Sequence, residues 1–178
     1  MEPKATDMMP VGIVLERYAI DNAWQDHAWR LVCVLPGAAK IEAPVVLEQN
    51  GDTLKIHAAT LDVELFKRET EGYRANLTSR GLIYVVLREP DGDDGEDDGT
   101  DYEFTPFLAT VCPFEAQDYM DSSEERVEVI AMPPDMVAWV ATFVETWHVE
   151  QPFKKRKRDS APGSWQDDDN GAEKPRDG

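Results

Sequence analysis

Runs of apolar residues, separated by polar and turn residues, mark the first strands of the chain. Residues 11–15 form a short apolar run with Glu16 beyond it, and residues 31–35 form a second run that is rich in β-branched side chains. The second run ends at Pro36, which is followed by a glycine. Apolar runs of this length that are bounded by turn residues predict two strands.

A hairpin and a half-buried strand are predicted next. The apolar runs 45–47 and 54–58 flank the sequence Asn50-Gly51-Asp52, which is a strong turn signal between short strands. Between Leu61 and Leu65, apolar residues alternate with acidic ones. This period of two predicts a strand with one face buried and the other in solvent.

The second half of the chain mixes strands with a short helix. Residues 82–87 form a continuous apolar run that suits a central strand, and further strands are predicted over 104–111 and 127–132. A helix is predicted to begin at Pro113, because proline suits the first helical position. The segment 67–77 is left open, since its pattern fits either an alternating strand or a helical turn.

The most apolar helix is predicted over residues 135–148, with Asp135 as its cap after two prolines. Its large apolar residues recur at helical spacing and form one wide stripe: Met136, Trp139, Val140, Phe143, Val144 and Trp147. A stripe of this width predicts packing against a sheet. The helix would be about 20 Å long, which is too short for a membrane span.

Many short strands followed by one apolar helix predict an α+β fold. The sheet is expected to be antiparallel, or a partly closed β-barrel, and to be covered by the C-terminal helix. The chain has 178 residues and no dividing linker, so a single globular domain is expected over 9–150, with a flexible arm over 1–8 and a disordered charged tail over 151–178. No secretory signal or transmembrane run is recognisable, which predicts a soluble cytoplasmic protein.

The net charge of −18 changes what this domain is expected to bind. Half of it lies between Glu89 and Glu103, a stretch with nine acidic residues and no basic one, so a disordered acidic loop is predicted over 90–103. The rest of the body is acidic as well. Binding of nucleic acid or of an anionic membrane by the whole domain is therefore disfavoured, because both require positive potential.

Motifs for metal and catalytic chemistry are few. The acidic loop fits the first positions of a calcium-binding loop from Asp94, but Thr105 stands where such a loop requires a bidentate glutamate. The histidines His27, His57 and His148, with two separated cysteines, do not form a zinc ligand set. No nucleophile elbow or glycine-rich phosphate loop is present. No cofactor, no metal and no enzymatic activity are predicted.

A polar and aromatic cluster between the first two strands is one candidate for partner binding. Its site residues are Trp24, Gln25, Asp26, His27, Trp29 and Arg30. Aromatic residues in loops are enriched at interfaces, which favours binding of a ligand or a peptide. The competing interpretation is that Trp24 and Trp29 close one end of the sheet while Asp26 and Arg30 stay in solvent.

A run of five basic residues is the second candidate: Lys154, Lys155, Arg156, Lys157 and Arg158. Five adjacent like charges cannot be buried together, so they are available for contact. Such a run attracts anions, which suits an acidic partner or nucleic acid. The alternative interpretation is a solubilising tail that pairs transiently with the acidic body.

Several stretches, in order, resemble an uncharacterised bacterial family filed as a domain of unknown function. They are PVGIVLER at 10–17, WQDHAW at 24–29, LPG at 35–37, ETE at 69–71 with Tyr73 and Asn76-Leu77, YVVLR at 84–88, PFEAQDY at 113–119 and FKKRKR at 153–158. The resemblance covers residues 9–158. The acidic insertion and the tail after Arg158 are peculiar to this chain.

The resemblance also carries an implication about function. Members of the family are typically encoded beside molybdenum-dependent formate dehydrogenases and their maturation factors. This implies an accessory protein that binds a formate dehydrogenase, or its maturation factors, and assists assembly without chemistry of its own. Two alternatives stay open: an enzyme or carrier in molybdenum-cofactor handling, and a nucleic-acid-contacting regulator acting through residues 154–158. A concave pocket with converging polar groups would favour the enzyme.

Overall fold

The computed structural model describes residues 5–89, 104–122 and 125–149. The strands in these segments are β1 (Thr6–Ala19), β2 (His27–Pro36), β3 (Val45–Asn50), β4 (Thr53–Phe66), β5 (Leu82–Arg88), β6 (Thr105–Thr110) and β7 (Arg126–Ala131). The helices are α1 (Thr70–Ser79), which follows a 3-10 turn at Lys67–Glu69, α2 (Pro113–Met120) and α3 (Pro134–Trp147). The predicted acidic loop 90–103 and the predicted tail 151–178 lie outside the described residues.

Two antiparallel sheets make up the frame. The first has the strand order β2-β1-β4-β3, and the second has the order β6-β5-β7. The predicted α+β class with antiparallel pairing is confirmed. Within the described segments the sheets do not close into a barrel, because α1 follows β4 and the next strand, β5, pairs with β6 and β7 instead.

The first sheet is built on two long strands. β1 and β4 have 14 residues each and pair from Thr6 with Phe66 to Arg17 with Leu54. The two separate strands that the pattern predicted over 54–58 and 61–65 are therefore one strand. Residues 6–8 belong to this sheet rather than to the expected flexible arm, because cross-strand pairing holds them.

The predicted hairpin between β3 and β4 is confirmed. Its turn contains Gly51, whose φ of 57° lies in the left-handed region that glycine adopts without a steric penalty. All six residues of β3 are exposed, and this strand forms one edge of the sheet.

One apolar core joins both sheets to α1 and α3. It includes Ile13, Leu15, Trp29, Ile56, Val63, Leu65, Tyr73, Ile83, Val85, Leu87, Met136, Val140 and Phe143. The predicted central strand over 82–87 is confirmed as β5, which lies between β6 and β7. Its side chains at 83, 85, 86 and 87 are fully buried, as a continuous apolar run requires.

The open segment 67–77 is helical, and a buried amide fixes it. Asn76 of α1 is 1% exposed. Its Nδ2 donates hydrogen bonds to the carbonyl oxygens of Leu82, at 2.7 Å, and Val111, at 2.8 Å, and its Oδ1 accepts one from the Leu82 N–H at 2.9 Å. The amide thus ties α1 to the start of β5 and to the end of β6.

The last helix, α3, begins at Pro134, with Pro133 at the cap position and no side-chain cap. The prediction that Asp135 caps this helix is wrong: it lies in the first turn, where its charge still suits the positive end of the helix dipole. The ring of Phe143 contacts Tyr73 of α1 edge to face, with 6.3 Å between centroids. No helix of the described segments is long and apolar enough to cross a membrane.

Candidate functional site

The loop between β1 and β2 presents one tryptophan to solvent. The Ile20 N–H donates to the Asp26 carbonyl oxygen at 3.0 Å, which closes the loop, and the Trp24 N–H donates to Asn22 Oδ1 at 2.9 Å inside it. The side chain of Trp24 is 92% exposed. We call residues 20–26 the hairpin loop. Its backbone is ordered by these bonds while its largest apolar group has no cover among the described residues.

The structure divides the residues that the sequence grouped together. Gln25 and Asp26 are exposed beside Trp24, and His27 is half-buried where β2 begins. Trp29 is 3% exposed and belongs to the core. Successive residues of a strand face opposite sides of the sheet, so Trp29 points inward while Arg30 points outward. The Trp29 indole is therefore not accessible to a partner.

Arg30 is held by a buried carboxylate on β1. Its Nε donates to Glu16 Oε1 at 2.9 Å, and its guanidinium lies 4.7 Å from the centre of the Tyr18 ring. Glu16 is 7% exposed, and Lys55 Nζ lies 3.9 Å from its other oxygen. These contacts satisfy the buried charge and fix Arg30 on the outer face of the first sheet.

A groove that the sequence did not reveal lies between α1 and the end of α3. Its volume is about 910 Å³, which is comparable to that of ligand-binding clefts. Its lining includes Lys67, Arg68, Thr70, Arg74, Trp147 and His148. We call this cleft the α1–α3 groove. It brings together residues that are about 70 positions apart in the chain.

The imidazole of His148 connects the two walls of the groove. Its Nε2 lies 3.3 Å from Arg74 Nη1, and its Nδ1 lies 3.2 Å from Thr70 Oγ1. An arginine can only donate, so Nε2 accepts and Nδ1 carries the proton. The Thr70 hydroxyl donates to the Lys67 carbonyl oxygen at 3.2 Å and accepts from Nδ1. This pattern assigns Nδ1 as the donor and Nε2 as the acceptor of the His148 ring.

Aromatic rings hold the cations at the start of the groove. Lys67 Nζ lies 4.9 Å from the centre of the Trp147 ring, and the guanidinium of Arg68 lies 4.9 Å from the centre of the Phe66 ring. Arg68 also approaches Glu69, with its Nε 3.8 Å from a carboxylate oxygen. Cation–π contacts position a charge without neutralising it. The groove is thus a positive region on an acidic protein.

Other buried polar groups have structural explanations. His57 Nε2 lies 3.0 Å from Thr60 Oγ1, which donates to the Ala39 carbonyl oxygen at 2.7 Å, so Nε2 is the donor to the hydroxyl. A side chain at Gly12 would collide with this ring, because its Cβ would lie 2.8 Å from Nε2. His57 thus lies over Gly12, on the face of β4 opposite to the core residue Ile56.

Two thiols and one phenol titrate abnormally. Burial raises the pKa of the Cys112 thiol. Cys33 is exposed on β2; partial desolvation raises the pKa of its thiol, and the Lys55 ammonium acts in the opposite direction. Burial also raises the pKa of Tyr73, whose hydroxyl donates to Glu69 Oε2 at 2.9 Å and accepts from the Phe66 N–H at 3.0 Å. No three metal-binding side chains come together in the segments that the structure describes.

The predicted basic site, residues 154–158, lies outside the described residues.

Comparison with known proteins places the chain in a family. The model of the family described as "Protein of unknown function (DUF3305)" matches residues 10–157, so the chain belongs to it. The search of curated proteins and the search of solved structures gave no match. The match covers both the hairpin loop and the α1–α3 groove.

Proposed function

We propose that this chain is a non-enzymatic binding protein that assists assembly or maturation of a molybdenum-dependent formate dehydrogenase by direct contact. An enzyme or carrier in molybdenum-cofactor handling is the second candidate, which the concave and polar α1–α3 groove favours. The observation that carries the proposal is the 92% exposure of Trp24 at the hairpin loop. Tryptophan is among the residues that contribute most to protein interfaces, because its large ring gains from burial and its N–H can bond at the rim.

The order of the loop supports this role. Two hydrogen bonds hold the backbone around Trp24, so little conformational entropy is lost when a partner covers the ring. The exposed Gln25 and Asp26 supply the polar rim that surrounds the apolar centre of a typical interface. The identity of the partner rests on the resemblance of the sequence to proteins encoded beside formate dehydrogenases.

Capture of a co-expressed formate dehydrogenase tests the proposal. The tagged full chain, Trp24→Ala and a control, Phe114→Ala, are compared; Phe114 is 62% exposed on α2 and also removes a surface aromatic ring. Loss of a central interface tryptophan costs 2 kcal/mol or more, so Trp24→Ala should weaken capture by roughly thirtyfold. Phe114→Ala should retain it.

The two parts of the proposal fail in different ways. If the wild-type chain does not retain the enzyme, the assignment of the partner is wrong. If Trp24→Ala captures the enzyme as well as wild type does, the partner is right and the hairpin loop is not the contact.

A further inference from the structure

We infer that the α1–α3 groove is a docking site for an acidic, extended segment of a partner protein. The inference is independent of the hairpin loop, and three observations support it: the charge of the groove walls, the way the cations are held, and the place where the described chain leaves the groove.

The sign of the charge is the first observation. Among the described residues, three cations line the groove: Lys67, Arg68 and Arg74. Two carboxylates accompany them, Glu71 in the lining and Glu69 at 3.8 Å from Arg68, so the groove has a small excess of positive charge on a chain whose net charge is −18. A patch of positive charge on a negatively charged protein attracts negatively charged segments of a partner and disfavours positively charged ones. The complementary chemistry is a short run of carboxylates.

The positioning of these cations is the second observation. The indole of Trp147 lies under the Lys67 ammonium at 4.9 Å, and the ring of Phe66 lies under the Arg68 guanidinium at the same distance. The cations are held before a ligand arrives, which reduces the entropy lost on binding. The half-buried Trp147 also offers an apolar surface beside them, which suits a peptide with an aromatic or aliphatic residue among its acids.

The third observation is the exit of the chain. Val149 lines the groove and is the last residue described before the run at 154–158. Lys154 follows it by five residues, which span at most about 17 Å when fully extended. Chain length alone therefore keeps Lys154, the first of five consecutive basic residues in the sequence, within that distance of Val149.

The acidic end of this same chain is the main competitor for the groove. Residues 159–178 contain six acidic residues and Trp165, and they begin ten residues after Val149. The test therefore compares the full chain with a chain that ends at Arg158.

Binding of a synthetic peptide to the full chain is the experiment. The probe is a fluorescein-labelled ten-residue peptide of alternating Asp and Glu with one Phe, followed by anisotropy at low salt. The groove variant is Lys67→Gln/Arg68→Gln. The control, Lys40→Gln/Arg80→Gln, removes the same charge: Lys40 pairs with Asp62 on the first sheet, and Arg80 follows the far end of α1. The groove variant should bind about tenfold more weakly, and the control within about twofold of wild type.

Separate control experiments address the folding of the variants and the role of the hairpin loop. Thermal melts establish that the variants are folded, and Lys67→Met removes the charge while keeping a long side chain over Trp147 if the double variant is unstable. Trp24→Ala should bind the peptide as wild type does, so this inference and the proposed function can fail independently.

Three results would overturn the inference. Equal weakening by the groove variant and the control would show that only net charge matters. Binding that tightens more than about tenfold when residues 159–178 are removed would show that the chain's own acidic end is the occupant. An oligonucleotide of equal charge that binds more tightly than the peptide, with the same sensitivity to the groove variant, would assign the groove to nucleic acid.

Discussion

The hairpin loop and the α1–α3 groove are two exposed surfaces that are built in opposite ways. The loop is contiguous in sequence and offers one large apolar ring, Trp24, with polar neighbours and a backbone held by two hydrogen bonds. The groove is assembled from two distant helices and offers cations held over aromatic rings. The loop suits an apolar anchor point, and the groove suits a charged segment.

The difference shows why a dense cluster in sequence overstates a site. Residues 24–30 look like one aromatic and polar group, yet the strand alternation that begins at His27 sends Trp29 into the core and Arg30 to the surface. The groove shows the converse. Lys67 and Trp147 are unremarkable alone, and only the packing of α1 beside α3 brings them into contact.

The largest loss of stability is expected at Trp29, the member of the cluster 24–30 that belongs to the core. Trp29→Ala empties an aromatic core position that is 3% exposed, so we expect the free energy of unfolding to fall by about 3–5 kcal/mol in urea denaturation. Trp29→Phe keeps most of the ring volume and should cost less. A Trp29→Ala variant as stable as wild type would mean that the ring is accessible and that residues 24–30 act together as one surface.

The strands and helices were largely predictable, because their apolar runs and turn residues are local signals. The long pairing of β1 with β4 was not, since the residues that extend or join the predicted runs, such as Asp7 and Thr60, are polar and are held by cross-strand bonds. The role of Asn76 was not predictable either, because its two donated hydrogen bonds reach residues that only the packing of α1 beside β5 and β6 brings near.

For the sites, the sequence identified Trp24 and its polar neighbours but missed the groove. The signal for the groove was present in the 3-10 turn and α1. Lys67, Glu71, Arg74 and Thr78 recur at helical spacing on one face, and Thr70, Tyr73 and Leu77 recur on another. Recognising segment 67–77 as an amphipathic helix would have revealed a charged face. It would not have revealed Trp147 beside that face, which depends on tertiary packing.

The packing of α3 can be tested by comparing two of its residues. Met136 is fully buried, so Met136→Ala should cost about 2–5 kcal/mol of stability. Trp139 is half-buried and its Nε1 donates to Asp7 Oδ2 at 2.9 Å, so Trp139→Ala should cost about 1–2 kcal/mol. That α3 is the main cover of a sheet stays a prediction, and equal losses from the two variants would favour it.

The position of α1, one wall of the α1–α3 groove, is expected to depend on the side-chain amide of Asn76. Asn76→Asp keeps the acceptor for the Leu82 N–H but removes both donors and buries a charge, so we expect a loss of about 2–3 kcal/mol. The matched control is Asn22→Asp in the hairpin loop. There the side chain only accepts from the Trp24 N–H, which a carboxylate also does, and stability should change by less than about 0.5 kcal/mol. Similar losses in both variants, measured by chemical denaturation, would contradict this difference.

Alkaline pH should lower the free energy of unfolding through Tyr73 of α1. Burial raises the pKa of Tyr73 above its usual value of 10.0, so the folded state holds the phenol proton more tightly than the unfolded state does. The resulting stability is complete below pH 10 and decreases as the pH rises further. Tyr73→Phe removes this titration, and its stability should fall less steeply above pH 10. Equal slopes for both proteins in denaturation series would show that Tyr73 does not contribute.

The smallest effect on stability is expected at the tip of the hairpin loop, where the proposed contact lies. Trp24 makes no core contact and is 92% exposed, so Trp24→Ala should change the free energy of unfolding by less than about 0.5 kcal/mol. Acrylamide quenching of tryptophan fluorescence checks the exposure. The readily quenched fraction should be smaller in this variant, because an exposed indole is removed. Trp29 lies only five positions further along the chain, and its loss is expected to be the most damaging. If Trp24→Ala instead destabilised the fold by more than about 1 kcal/mol, the ring would be packed in solution and unavailable to a partner, and the contrast between the loop and the core beneath it would disappear.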